Sequence, residues 1–224
     1  MEITHLGHAA VLVEAAGTRI LLDPGNLDPA WHDLTGLDAV LVTHLHADHL
    51  DPDRVPALIA ANPQAHLIVE PSIAELAGQE VPSTGGRLPE LPGAVALAPD
   101  EQTTVGSLAV RAVGGRHAVV HADLPRAGNV GYVLSAPGEP TFFHPGDALD
   151  AIPTGVDVLA MPVWGPWAAL KEHIDFARAV AAPHGFPIHD AHLADRGRQL
   201  VIGRVNAMTP TTLVDLRGAG PHVF

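Results

Sequence analysis

The 224-residue chain has no cysteine, a single lysine (Lys171), and no apolar run near the roughly 20 residues needed to cross a bilayer. Without cysteine there is no disulfide framework, no thiolate zinc site and no cysteine nucleophile. The eleven arginines are scattered, and 25 carboxylates against 12 Lys and Arg give a net charge of −13. Phosphate backbones need cationic tracks, so nucleic acid is not an expected partner. No membrane association is expected either. Residues 1–5 enter a strand-like pattern with no basic leader or apolar signal core, which points to a soluble cytoplasmic protein.

What is abundant is histidine, at fifteen residues. With 47% apolar residues and positive mean hydropathy, the chain should fold. Its length suits one large domain or two small ones. Because it shows no repeat, low-complexity tract or linker, a single domain over residues 1–224 is expected.

Alternation predicts strands over residues 2–5, 9–14 and 19–22, with a hairpin at Ala15-Ala16-Gly17-Thr18 and a stop at Asp23-Pro24-Gly25. Residues 28–36 read as loop. Short apolar runs at 38–43 and 66–70 read as strands buried on both faces. Asp51-Pro52-Asp53 opens a helix over 54–61, and Ser72 begins a capped helix to 77. The Gly- and Pro-rich residues 81–99 read as a surface connection. Strands follow at 103–105, 108–113, 130–136, 141–144, 156–161 and 186–188, with helices at 167–181 and 196–207. Two strand-rich halves with helices beside each fit an α/β arrangement of two sheets between helices.

The densest chemical signal is Thr43-His44-Leu45-His46-Ala47-Asp48-His49. Four potential ligands fall within six residues, directly after a buried strand. Neutral imidazole and carboxylate suit Zn²⁺, Mn²⁺ or Fe²⁺. At x-His-x-His spacing two imidazoles converge only if the segment leaves the strand, and Asp48-His49, on the next turn, can then face a second ion.

In this motif the chain resembles the metallo-β-lactamase superfamily, whose signature is His-x-His-x-Asp-His after a strand. The resemblance runs in order through Leu6-Gly7-His8-Ala9, Leu22-Asp23-Pro24, the signature, His117, His144-Pro145-Gly146-Asp147 and Pro187-Ile188-His189-Asp190. The Gly-His-Ala opening and the Asp of His-Pro-Gly-Asp are similar to the branch containing the ascorbate-phosphate lactonases. The resemblance implies a four-layer αββα sandwich and two adjacent divalent ions, zinc first, with manganese or iron as alternatives. His44, His46 and His117 would hold one ion, Asp48, His49 and His189 the other, and Asp147 would bridge them. His121 competes with His117, and His184 with His189.

Asp23 would orient an imidazole or simply form a turn. His8 and His144 would lie in or behind the site. Trp164 and Trp167 would wall a substrate pocket or pack a loop. Asn129 would be a polar pocket group, while Arg116 and Arg126 would contact an anionic substrate or solvent. His5, His32, His66, His173, His192 and His222 show no spacing logic and read as surface residues.

The implied function is a dinuclear hydrolase in which a metal-bridging hydroxide cleaves a small ester, lactone or amide, with Asp48 orienting the nucleophile or moving its proton. The alternatives are a phosphodiesterase on a small phosphodiester and a non-catalytic metal-binding protein. An oxygen- or nitric-oxide-reducing di-iron protein fits less well, since relatives of that type favour a carboxylate for one signature histidine and carry a flavin domain. The partner is a small molecule, and self-association is left open.

Overall fold

The computed structural model describes residues 1–82 and 86–224. The N-terminal half runs β1 (Glu2–Gly7), β2 (Ala10–Ala15), β3 (Thr18–Leu22), β4 (Ala39–Val42), α1 (Val55–Ala61), β5 (His66–Val69), α2 (Pro71–Leu76), β6 (Glu80–Val81), β7 (Gly86–Arg87) and β8 (Val95–Ala96). The C-terminal half runs β9 (Gln102–Val105), β10 (Leu108–Gly114), β11 (Val130–Ser135), β12 (Phe142–His144), β13 (Val158–Pro162), α3 (Leu170–Val180), β14 (His184–Ile188), α4 (Asp195–Met208), β15 (Thr212–Leu213) and β16 (His222–Val223).

Two seven-stranded sheets form, in the orders β16-β1-β2-β3-β4-β5-β8 and β15-β14-β13-β12-β11-β10-β9. Each is mixed. β1–β3 make an antiparallel meander, and β4 and β5 then add in parallel. In the second sheet β9–β12 are antiparallel, and β13 and β14 add in parallel.

The period of two along each strand sorts its side chains between layers. Ile20, Leu22, Ala39 and Leu41 face the second sheet and pack with Val110, Tyr132, Phe142 and Phe186. Their neighbours Leu21, Val40 and Val42 face outward against Val55, Leu58 and Ile73 of α1 and α2. On the far side Phe143, Leu159 and Met161 pack against Phe176, Val180, Ile202 and Val205 of α3 and α4. The result is the expected four-layer αββα sandwich. Among the described residues no helix is long and apolar enough to cross a membrane.

Several expectations need correction. Helix α2 starts at Pro71, and its cap is the Glu70 carboxylate, which accepts from Ser72 N at 3.0 Å, rather than Ser72 itself. Residues 81–99 are more than a surface connection: they carry β7 and β8 and bury Leu88, Leu91 and Leu97, while 83–85 fall outside the described residues. The loop over 28–36 buries Trp31 completely, with Nε1 donating to Gly25 O at 2.9 Å. The two-residue strands β15 and β16 were too short to leave a periodic signal; β16 pairs with Glu2 and Ile3. His5 and His173 are buried rather than on the surface.

Candidate metal centre

Loops from both sheets meet at one end of the sandwich. Residues 43–51 leave β4 in a tight turn, with His49 N and Leu50 N each donating to His46 O at 2.9 Å. The segment after β3 clamps this turn, since Asn26 N donates to Ala47 O and Asp51 N to Pro24 O, both at 2.9 Å. At Gly25 the chains pass so closely that a Cβ would lie 1.7 Å from Asp48 O. Only glycine fits there.

The second sheet brings the remaining groups. β10 ends at Gly114 and leads to His117, whose N–H donates to Ala127 O at 3.1 Å. β12 leads through Pro145-Gly146 to Asp147, and β14 to His189, whose N–H donates to His8 O at 2.8 Å. Gly146 has φ +62° and sits where a Cβ would strike Asn129 Oδ1 and Thr43 Oγ1. Three non-glycine residues of the site, His8, Asp23 and His189, also hold left-handed backbone, at φ 46°, 47° and 57°. Each costs about 1–3 kcal/mol, and such outliers persist where surrounding structure over-determines them.

The side chains form two adjoining sets: His44, His46, His117 and Asp147, and His8, Asp48, His49 and His189. Within each set the ligand atoms lie within 4.8 Å of one another. The His44, His46 and His117 rings make a near-equilateral triangle with centroids 4.7–4.9 Å apart. Asp147 touches both sets. Its Oδ1 is 3.1 Å from His49 Nε2, and its Oδ2 is 3.0 Å from His189 Nε2 and 3.4 Å from His117 Nε2.

Ring orientation is set from outside. Thr43 Oγ1 donates to Asp23 Oδ2 at 2.7 Å and so accepts from His44 Nδ1 at 3.0 Å, leaving the lone pair on Nε2. His49 Nδ1 donates to Asp23 Oδ2 at 2.7 Å, and His117 Nδ1 to Ala118 O at 2.7 Å. All three rings therefore turn Nε2 inward, in the way second partners fix metal-ligating imidazoles.

Inside, His49 Nε2, His117 Nε2, Asp147 Oδ1 and both nitrogens of His189 are buried without hydrogen-bond partners of acceptable geometry, despite the short separations. Such atoms cost free energy unless something satisfies them. Outside the His44 Nε2–His46 Nδ1 contact at 3.1 Å and the hydrogen bonds that Asp48 and Asp147 accept from His8 and Trp167, these converging nitrogen and oxygen atoms lack partners in the protein and fit a shared cation.

The electrostatics agree. Burial raises the Asp147 carboxyl, but the His189 and His49 imidazoles outweigh it and hold it well below the usual range. Burial likewise raises Asp48, and the nearby His49 and His189 imidazoles, with the hydrogen bond from His8, reverse the effect. Burial lowers His49 and His189, yet the carboxylates around them prevail, leaving His49 well above its ordinary value and His189 at about 9. Metal binding to these two imidazoles would require them to lose their protons, so affinity there would depend on pH. Burial keeps His44 well below its ordinary value and His46 at about 4, so both stay neutral and able to ligate.

His8 differs from the others. Ala191 N–H donates to its Nδ1 at 3.3 Å, which leaves the proton on Nε2, and Nε2 donates to Asp48 Oδ2 at 3.1 Å. Burial lowers its value to about 4, consistent with a neutral ring. His8 is therefore a hydrogen-bond donor to Asp48, with no inward lone pair.

All seven residues expected as ligands (His44, His46, Asp48, His49, His117, Asp147 and His189) come together here. His121 points to solvent beside Asp123, and His184 is exposed at the start of β14. His144 is buried behind the site, with Gly146 N donating to its Nδ1 and its Nε2 donating to Ala9 O. Asn129 is not a pocket group: its amide holds Pro145 O and Asp147 N from behind.

Trp164 and Trp167 line a pocket of about 200 Å³ over the site, and Trp167 Nε1 donates to Asp147 Oδ2 at 3.1 Å. Arg126 is tied to His117 O and Asp150, and Arg116 lies in a separate cleft with Asp150. Sequence reasoning missed Thr43, although it adjoins the motif, and His192, which lines the pocket against Trp164 at 5.2 Å.

A family model described as a beta-lactamase superfamily domain matches residues 2–189. The chain belongs to the metallo-β-lactamase superfamily. It is 38% identical over 214 residues to Protein Rv0786c of Mycobacterium tuberculosis, covering 94% of each chain. Over 89 residues it is 36% identical to a UPF0173 metal-dependent hydrolase of Aeropyrum pernix, covering 38% of this chain and 36% of that one. It shares its fold with Igni18, a metallo hydrolase of Ignicoccus hospitalis, at a TM-score of 0.69 and 16% identity over 100% of this chain and 98% of that one.

Proposed function

We propose that this metal-dependent hydrolase of the metallo-β-lactamase superfamily works with two divalent ions, zinc first, on a small ester, lactone or amide. The observation that carries the reading is Asp147, whose two oxygens reach both sets of inward-facing imidazoles. His44, His46 and His117 would hold one ion, Asp48, His49 and His189 the other, and Asp147 both. Bound there, the ions would supply Lewis acidity and acidify a shared water so that a nucleophile exists near neutral pH.

The chain's own residues do the rest. Asp23, Thr43 and Ala118 O fix the imidazole orientations. His8 holds Asp48, whose side chain is partly open to the pocket and positioned to orient a water and accept its proton. Trp164, Pro166 and Trp167 wall the pocket. No Lys or Arg is among the described residues lining this pocket, which supports a neutral substrate over a phosphodiester.

The test is a panel of small esters, lactones and amides assayed with purified protein before and after chelation, alongside elemental analysis. Turnover should vanish on metal removal and return with zinc. Undiminished turnover by protein containing no metal would refute the proposal.

A further inference from the structure

Beside the candidate metal centre lies a second cleft, of about 120 Å³, that shares His46, His117 and Val120 with the pocket already described. Its outer wall is the segment after His117, with Val119, Val120, Leu124 and Pro125. Val119, Val120 and Leu124 are 56%, 41% and 55% exposed. Three of the nine exposed large apolar side chains among the described residues thus fall within six positions, against the mouth of the site. Single exposed apolar residues need no explanation, but a cluster rimming a cleft marks a binding surface.

Among the described residues lining the cleft the one Lys or Arg is Arg126, whose Nε donates to His117 O and whose guanidinium faces Asp150 at 3.5 Å. Part of its donor set is thus used within the protein rather than aimed into the cleft. His121, also on this wall, points to Asp123.

We propose that this cleft receives a short unbranched apolar chain on the acyl side of the substrate, making the preferred substrates esters, lactones or amides of short-chain aliphatic acids. The inference rests on the hydrolytic reading for the bond that is cleaved, but the cleft itself can be probed without turnover. The shared wall of His46 and His117 would put such a chain beside the candidate metal ligands. Val119, Val120, Leu124 and Pro125 supply apolar contact, and the small volume limits the chain to a few carbons.

The experiment measures binding of acetate, butanoate, hexanoate and octanoate to the zinc-loaded protein by titration calorimetry, beside hydrolysis of the matching p-nitrophenyl esters. Affinity should rise about two- to fourfold per methylene from acetate to butanoate and then level off as the cleft fills. Leu124→Ser and Val120→Ser should flatten that rise while zinc content and the circular dichroism spectrum stay unchanged. Should either variant misfold, the wild-type series still decides. Equal affinities across the series, or no binding of any member, would overturn the proposal. Chain-length-dependent binding without ester turnover would keep the cleft and sink the hydrolytic reading. Metal-dependent turnover with flat binding would do the reverse.

Discussion

His49 Nδ1 donates to Asp23 Oδ2 at 2.7 Å, with both side chains fully buried. The same carboxylate accepts from Thr43 Oγ1 and Thr43 N, so one residue orients His49 directly and His44 through the threonine. Partners of this kind are worth about 10–100-fold in metal affinity. Asp23→Asn should therefore weaken zinc binding by about that factor, measured by competition with a chromogenic chelator. Unchanged affinity would show that the rings hold their orientation without it.

Four of the seven proposed ligands were legible because His44, His46, Asp48 and His49 are neighbours in the chain, so no tertiary knowledge was needed to see them converge. Asp147, His117 and His189 emerged only through family resemblance and their places after strands. The role of His8 could not be read, because its tautomer is set by the N–H of Ala191, 183 residues away. Asn129 was misplaced for a similar reason: its amide serves the Asp147 backbone, a contact that leaves no pattern in a single sequence. His5 and His173 looked like surface residues because a lone histidine carries no period. His5 is held by His8 O, and His173 lies under Trp167. The layers were legible where strands alternate and illegible in β15 and β16, which have two residues each.

The choice between His117 and His121 has a direct readout. His117 Nε2 is buried and inward, whereas the His121 side chain is 65% exposed. His117→Ala should lower the metal content from two ions per chain toward one and cut hydrolysis by at least about a hundredfold, on the scale of losing a transition-state electrostatic partner. His121→Ala should keep both ions. Elemental analysis of the two proteins reads the difference, and the opposite pattern would exchange the assignments.

Because His8 donates a proton rather than a lone pair, replacing it should separate metal binding from catalysis. Its hydrogen bond goes to a carboxylate, and such bonds are worth about 1.5–3 kcal/mol, or roughly 10–100-fold in rate if the bond matters only in the transition state. His8→Ala should keep two zinc ions yet lower kcat within that range. Loss of one ion in this variant would instead make His8 a ligand.

Behind His189 sits a buried ion-pair network. Arg198, 2% exposed, donates from Nε to Asp190 Oδ2 at 2.5 Å and from Nη2 to Asp215 Oδ1 at 2.7 Å, while Arg217 reaches Asp190 at 2.7 Å. Breaking a buried pair costs about 3–5 kcal/mol, and the lower end applies to Arg198 because Arg217 still faces Asp190 and Asp215 is partly exposed. For a chain of this size that lowers Tm by at least roughly 6 °C. Arg198→Met should show this at neutral pH in a thermal melt. The dependence on pH has a definite sign. The hydrogen bond from Arg198 holds the Asp215 carboxyl below its ordinary value; burial raises Asp190, but the two arginines prevail and lower it. A depressed carboxylate contributes its full stability above the unfolded value of about 3.9 and loses it as pH falls through the folded one. The gap in Tm between wild type and Arg198→Met should accordingly be widest near neutrality and narrow below about pH 4. A gap that stays constant with pH would mean that the arginine acts by packing alone, and that the loop carrying His189 does not depend on the charge behind it.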